Sequence, residues 1–154
     1  MSTTFDTEKL EAWVSFLRSH AAITRQLNVD LLTTHGLTLN DFEVLIHLDR
    51  APGNLMRRVD LAESVVLTAS GITRLLDGLE RAGYVEKATC ESDARVSYAK
   101  LTETGRQKLR DARTTHWAGV EEFFAGRFSD DELATLTDLL SRLPHTGRSC
   151  TGEQ

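Results

Sequence analysis

Several residues in the middle of the chain could make specific polar contacts. Ser70, Thr73, Arg74, Asp77 and Arg81 recur at three- and four-residue intervals, the spacing that lines side chains along one face of a helix. Ile72, Leu75, Leu76 and Leu79 fall at i, i+3, i+4 and i+7, an apolar stripe that would seat the same helix on a core. The Arg74 guanidinium has the fork geometry to pair with two acceptors of guanine, while hydroxyls at Ser70 and Thr73 can bond base edges or phosphate. Gly71 keeps the first turn slim, and Thr68, a residue of N-cap type, belongs to the same set of contacts. Farther on, Asp93 and Arg95 stand two residues apart, on one side of an extended strand. An ion pair there could hold the guanidinium in one direction, and a guanidinium on a narrow hairpin can enter a minor groove. Arg57 and Arg58 add two adjacent cations, either phosphate contacts or solvated loop charges. The blander alternatives are also open at this point: any surface helix has a polar face, and an exposed Asp–Arg pair is worth under about 1 kcal/mol.

The elements that must position these groups can be read from periodicity and caps. Leu10, Val14, Leu17 and Ala21 predict one long helix from Leu10 to about Leu32, stopped by His35-Gly36. Thr38 or Asn40 would cap a second helix carrying Phe42, Leu45, Ile46 and Leu48, and Ala51-Pro52-Gly53 would end it. A short third helix begins near Arg57 and carries Val59, Leu61 and Ala62 to about Ser64, with a turn at Val65-Val66-Leu67 before the helix from Thr68 to Ala82. Gly83 supplies a left-handed stop. Tyr84 to Ala88 and Val96 to Leu101 are short β-prone runs, which predicts an antiparallel hairpin with Asp93 and Arg95 at its tip. Thr102 caps a helix from Glu103 to about Phe124, and Ser129 with Glu132 forms a capping box for a last helix striped by Leu133, Leu136, Leu140 and Leu143.

Charge is distributed to match. The formal net charge is −5, but residues 55–110 hold ten Lys/Arg against eight Asp/Glu, leaving eight against fifteen elsewhere. The middle is the part able to approach phosphate. No G-x-S-x-G, H-E-x-x-H or glycine-rich loop opening a helix occurs, so the sequence offers no catalytic residues and calls for no cofactor. The histidines, His20, His35, His47, His116 and His145, lack tight metal-ligand spacing, and no metal site is assigned, although one assembled across helices stays open. Cys90 and Cys150 are far apart and form no C-x-x-C motif. Glu86, Glu91 and Asp93 should raise the pKa of Cys90 and blunt it as an oxidant sensor. No apolar run nears a membrane span and no secretion signal opens the chain, so a cytoplasmic protein with no membrane partner is expected.

The run Leu67-Thr68-Ala69-Ser70-Gly71-Ile72-Thr73-Arg74-Leu75-Leu76-Asp77-Gly78-Leu79-Glu80-Arg81-Ala82-Gly83-Tyr84-Val85-Glu86 resembles the recognition helix and first wing strand of the MarR (multiple antibiotic resistance regulator) transcription factors. Asp93-x-Arg95 and Leu101-Thr102-x-x-Gly105 are similar to that family's wing signature, at the same spacing. The resemblance spans roughly Asp6 to Leu143. It implies a mainly α chain with a small β-hairpin: a winged helix-turn-helix with N- and C-terminal helices forming a dimerisation region. As one MarR-type domain over 1–154, it would have a DNA-binding lobe at 55–101 and dimerisation helices at 6–34 and 103–146. It implies a homodimer that binds double-stranded DNA at a pseudo-palindromic operator and represses until a small-molecule effector arrives. Arg57, Arg58, Thr68, Ser70, Gly71, Thr73, Arg74 and Arg95 would contact DNA, with Asp93 orienting the wing. The family's effector pocket lies where dimer helices meet the lobe, which nominates Trp13, Phe16, His20 and His47, although aromatics at helical spacing more often fill a core.

The chain departs from the family in ways that weaken its wing. Ala94 stands where many wings carry an extra basic residue, and residues 88–96 net −1. Ala99 replaces a larger apolar residue, which predicts an underfilled joint between wing and core. These features, with the acidic total, support a rival reading: a winged helix used for protein contacts, with weak or no DNA binding.

Overall fold

The structure is a computed structural model and describes residues 6–65 and 69–144. Among these described residues six α-helices and three strands follow in the order α1 (Thr7–His35), α2 (Leu39–Arg50), β1 (Leu55–Arg57), α3 (Arg58–Ser64), α4 (Ala69–Arg81), β2 (Val85–Thr89), β3 (Ser97–Leu101), α5 (Glu103–Phe123) and α6 (Asp130–Ser141). The caps act as the sequence predicts. Thr38 and Asp41 form a reciprocal capping box on α2, and Ser129 and Glu132 form one on α6. Gly36 and Gly83 take positive φ at helix ends, the conformation that costs glycine least. Thr68 with its predicted role as a cap, and Val66 and Leu67 of the predicted turn, lie outside the described residues, as do His145 and Cys150.

The strand count exceeds the predicted hairpin. β2 and β3 pair antiparallel from Val85↔Leu101 to Thr89↔Ser97, and β1 adds to the other edge of β3 with Met56 opposite Ala99. Three residues after a Pro-Gly turn carry too little periodicity to register as a strand. β1 also bears on the predicted underfilled joint, because Ala99 is buried between Met56 on one side and Lys87 on the other.

One core binds the middle of the chain. Leu31, Leu37, Phe42, Leu45 and Leu48 meet Leu61, Leu76, Leu79, Val85, Leu101 and Leu109, all buried. Each such side chain contributes about 1.5–3 kcal/mol relative to exposure. The α4 stripe faces inward as predicted, with Ile72, Leu76 and Leu79 buried and Leu75 half-buried. The stripe on α1 behaves differently: Leu10 and Leu17 are exposed, and burial begins only near Leu27 and Leu31, where α1 reaches α5. The two helices approach closely at Gly119, where a Cβ would come within 2.7 Å of Leu27. Val59, expected on the core side of α3, is 62% exposed. In α6 no residue is buried.

The tightest joint lies where the wing returns to α5. Thr102 donates its hydroxyl to the Gly83 carbonyl (2.6 Å) and accepts from the Gly105 N–H (3.0 Å), while its own N–H donates to the Tyr84 carbonyl (3.1 Å). Gly105 is buried against that carbonyl, and a Cβ there would overlap it. Lys108, one turn on, sits 5.7 Å from the centre of the Tyr84 ring. Replacing Gly105 by Ala forces backbone against backbone, and we expect it to destabilise the fold by about 3 kcal/mol, read as a lower urea midpoint at unchanged m-value.

The face of α5 turned to α2 carries His116, whose ring lies 4.6 Å from that of Phe42. Burial lowers its pKa, and its Nδ1 is enclosed without a hydrogen-bond partner among the described residues. A histidine that resists protonation when folded binds fewer protons than in the unfolded chain. Its contribution is complete above about 6.5 and is lost as pH falls through the folded value. Urea titrations should therefore give a midpoint that falls on acidification below that pH, and His116→Leu should reduce the fall.

Candidate nucleic-acid interface

α4 presents its polar face away from the core. Ser70, Thr73, Arg74, Asp77 and Arg81 are all exposed, and Gly71 is half-buried at the first turn. The helix is strongly two-sided because Ile72, Leu76 and Leu79 fix its rotation, leaving Ser70, Arg74, Asp77 and Arg81 opposite the core, with Thr73 on the flank of that exposed face. Arg74 enters no ion pair among the described residues. The neighbouring β2 is tied to α4 by Lys87 and Glu80, 3.7 Å apart.

The wing tip is shaped by Asp93, but by a different bond from the one predicted. Its carboxylate accepts from the Arg95 backbone N–H (3.0 Å), and its carbonyl accepts from the Val96 N–H (3.2 Å). The expected carboxylate–guanidinium pair is absent among the described residues. A two-residue separation across a turn brings the main chain of Arg95 to the carboxylate and sends the side chain out, where it is exposed.

Arg57 and Arg58 part company. Arg57 ends β1 and forks onto Asp60 through Nε (2.8 Å) and Nη2 (2.9 Å), a pairing that raises its pKa. It is thus a strand end with a fixed side chain rather than a loose loop cation. Arg58 is half-buried, with Nη2 enclosed and lacking a hydrogen-bond partner among the described residues.

The predicted pocket residues divide between two cavities. Trp13, Phe16 and His20 stand one turn apart on α1, their rings 6.3 and 6.5 Å apart in sequence order. They line a trough of about 870 Å³ with Phe124 and Phe128 and the apolar side of α6. His47 lies elsewhere, in a shallow hollow of about 480 Å³ with Pro52, Arg57 and Tyr98, and burial together with Arg50 lowers its pKa. The four were predicted to share one pocket; the end of α2 is instead turned toward β1 and away from the α1–α6 trough. Among the described residues no cluster of three or more His, Cys, Asp or Glu is placed to hold a metal ion, and no helix is long and apolar enough to cross a membrane.

A family model described as MarR family matches residues 35–96. AbsC, a MarR family transcriptional regulator from Streptomyces coelicolor, superposes with a TM-score of 0.82 at 33% identity, covering 92% of this chain and 95% of that one. The chain belongs to the MarR family. A mutant MarR from E. coli complexed with operator DNA superposes with a TM-score of 0.77 at 25% identity, over 92% of this chain and all of that one. The HTH-type transcriptional regulator MhqR of Bacillus subtilis is 27% identical over 138 residues, 89% of this chain and 92% of that protein. In this MarR-family chain, then, α3 and α4 form the helix-turn-helix and β1–β3 the wing.

Cys90, at the end of β2, reverses the sequence expectation. Its thiol lies 3.0 Å from the Ser92 hydroxyl. Hydrogen bonds from that hydroxyl, and from the backbone at Ser92 and Asp93, lower its pKa despite the opposing Asp93 charge. Counting acidic neighbours along the sequence could not reveal these donors, which exist only once the loop folds. In a Cys150→Ser background, alkylation of Cys90 by iodoacetamide should reach half its maximal rate at a lower pH than in a short peptide, and Ser92→Ala should shift the profile back up.

Proposed function

We propose that this MarR-family transcriptional regulator is a cytoplasmic homodimeric repressor, held on a pseudo-palindromic operator in double-stranded DNA and released by a small-molecule effector. The observation that carries the reading is the two-sidedness of α4. A helix seated on the core by Ile72, Leu76 and Leu79 turns Ser70, Thr73 and Arg74 outward together, as a major-groove reader requires. Arg74 would pair with guanine, Ser70 and Thr73 with base edges or phosphate, and Gly71 and Thr68 would allow close backbone approach. Arg95 would enter the adjacent minor groove from a wing shaped by Asp93. Arg57 and Arg58 would meet phosphate, Arg57 by exchanging Asp60 for it. The lobe is 55–101 in this reading.

The second copy is supported by apolar surface that the chain leaves uncovered. Leu10, Trp13, Phe16 and Leu17 on α1, with Phe128, Leu139, Leu140 and Leu143 around α6, are all more than a third exposed, more than a monomer ordinarily shows in one region. Segments 6–34 and 103–146 would form that interface. Trp13, Phe16 and His20 offer apolar walls with one polar edge, suited to an aromatic or lipophilic effector. His47, in its separate hollow, would be a second contact point.

Binding to the DNA upstream of its own gene tests the reading. Arg74→Ala should weaken it about tenfold to a hundredfold, the scale of one bidentate base contact. Arg95→Ala should have a smaller effect, confined to operators with an A·T-rich flank. Log K should fall linearly with log salt. Unchanged binding in both variants would sink the repressor and favour the rival winged-helix protein module, for which the acidic wing loop speaks. Paired Trp13→Asp and Leu140→Asp substitutions should turn a dimer into a monomer by light scattering.

A further inference from the structure

Asp49 occupies an unfavourable position for a carboxylate. It lies in the last turn of α2, where the helix already presents partial negative charge, and its side chain is only 18% exposed. Two arginines of α5 account for it. Arg106 reaches Oδ1 through Nη1 at 3.3 Å, and Arg113 reaches Oδ2 through Nη2 at 2.9 Å. They stand seven residues apart, about 10 Å along the helix at 1.5 Å per residue. One carboxylate thus grips α5 at two points, and two points constrain tilt as well as position.

The grip extends into the wing. Arg106 also donates through Nη2 to Asn54 Oδ1. Asn54 Nδ2 donates in turn to the carbonyls of Asp49 (2.9 Å) and Leu48 (3.4 Å), which closes the end of α2. Asn54 holds a left-handed backbone with φ 56, which asparagine tolerates better than most residues, and β1 begins at the next residue. A continuous set of bonds therefore joins α5 to the end of α2, to the edge strand of the wing, and through β3 to the wing itself.

We infer that Asp49 is a positioning residue: gripped by Arg106 and Arg113, it sets the angle at which the reading lobe leaves α5, and hence the separation between half-sites that the dimer accepts. The inference rests on the DNA-binding homodimer proposed above. In such a dimer α5 belongs to the shared region and α4 to the lobe, so the α2–α5 joint fixes how far apart the two copies of α4 stand. Half-site spacing on DNA is a geometric property of that kind. Neither arginine touches the base edges in this scheme; they act through Asp49.

The test uses the full chain and an operator selected by the wild type from a random duplex pool. Duplexes are then made with the spacer between half-sites changed by one or two base pairs in either direction. The wild type should lose about tenfold or more in affinity per base pair from the optimum, since the half-sites rotate as well as shift. Asp49→Asn, equal in size and uncharged, should bind the optimal duplex less tightly and vary only about threefold or less across the series. Arg74→Ala should weaken binding at every spacing and keep the wild-type profile, which separates lost positioning from lost contact. A profile for Asp49→Asn parallel to the wild type overturns the inference, whatever the absolute affinity. Where Asp49→Asn is not folded by circular dichroism, Arg113→Gln, which keeps the Arg106 arm, carries the same expectation; unfolding of both assigns the cluster to stability alone and overturns it. Selection of no sequence, or of a site without two half-sites, refutes the repressor reading itself. Selection of a spaced operator with coincident profiles refutes only the role of Asp49.

Discussion

The arrangement depends on how closely the first turn of α5 lies against the turn that ends α4. The Tyr84 carbonyl receives the Thr102 N–H and bears directly on Gly105, while the Thr102 hydroxyl serves Gly83 and Gly105 at once. That joint closes the wing into a loop whose two ends, Val85 and Leu101, are opposite one another in the sheet. α4 is therefore held by its own C-terminus as well as by its apolar stripe. A side chain at position 105 would separate the long helix from the reading helix, and the wing would lose its base.

From that joint outward the chain divides by kind of surface. Around α2, α4 and the head of α5, the apolar side chains are buried or half-buried in one core, and most polar ones face solvent, with Asp49 the exception. Along the first half of α1 and all of α6 the pattern is incomplete, with aromatic and leucine side chains facing an open trough. The electrostatics follow the same partition: the basic excess is confined to the middle, and the wing loop within it is acidic. Under the proposed function, a helix that carries specificity in its shape and hydrogen bonds, with modest help from charge, would fit this balance better than a generally cationic surface.

Helices, caps and the hairpin were legible in the sequence because each has a local cause. Thr38, Ser129 and Thr102 cap where their types and spacing predict, and the α4 stripe falls on the core side as its periodicity requires. Three kinds of feature were not legible. β1 is too short to show a period and exists because β3 offers an edge. The pairing of Asp93 with a backbone N–H, and the donors around Cys90, depend on how a loop turns. The separation of His47 from Trp13, Phe16 and His20 follows from the direction in which α2 ends, which no spacing rule encodes. The Asp49 clasp is likewise non-local, and its only sequence signal is an acid in the last turn of one helix with arginines seven apart on a later one.

Asp93 restrains the main chain of the wing and leaves the Arg95 side chain to its own rotamers. The backbone turn is preorganised, whereas the guanidinium is not. Ordering a long side chain on docking costs up to about 2 kcal/mol of conformational entropy, which offsets part of any attraction it gains. In the proposed complex, the tip would be able to adjust its reach to grooves of differing width without disturbing the sheet beneath it. The wing is thus a rigid stem with a compliant end, which under the proposed function would suit it to tolerating sequence variation beside a site rather than enforcing a single sequence there.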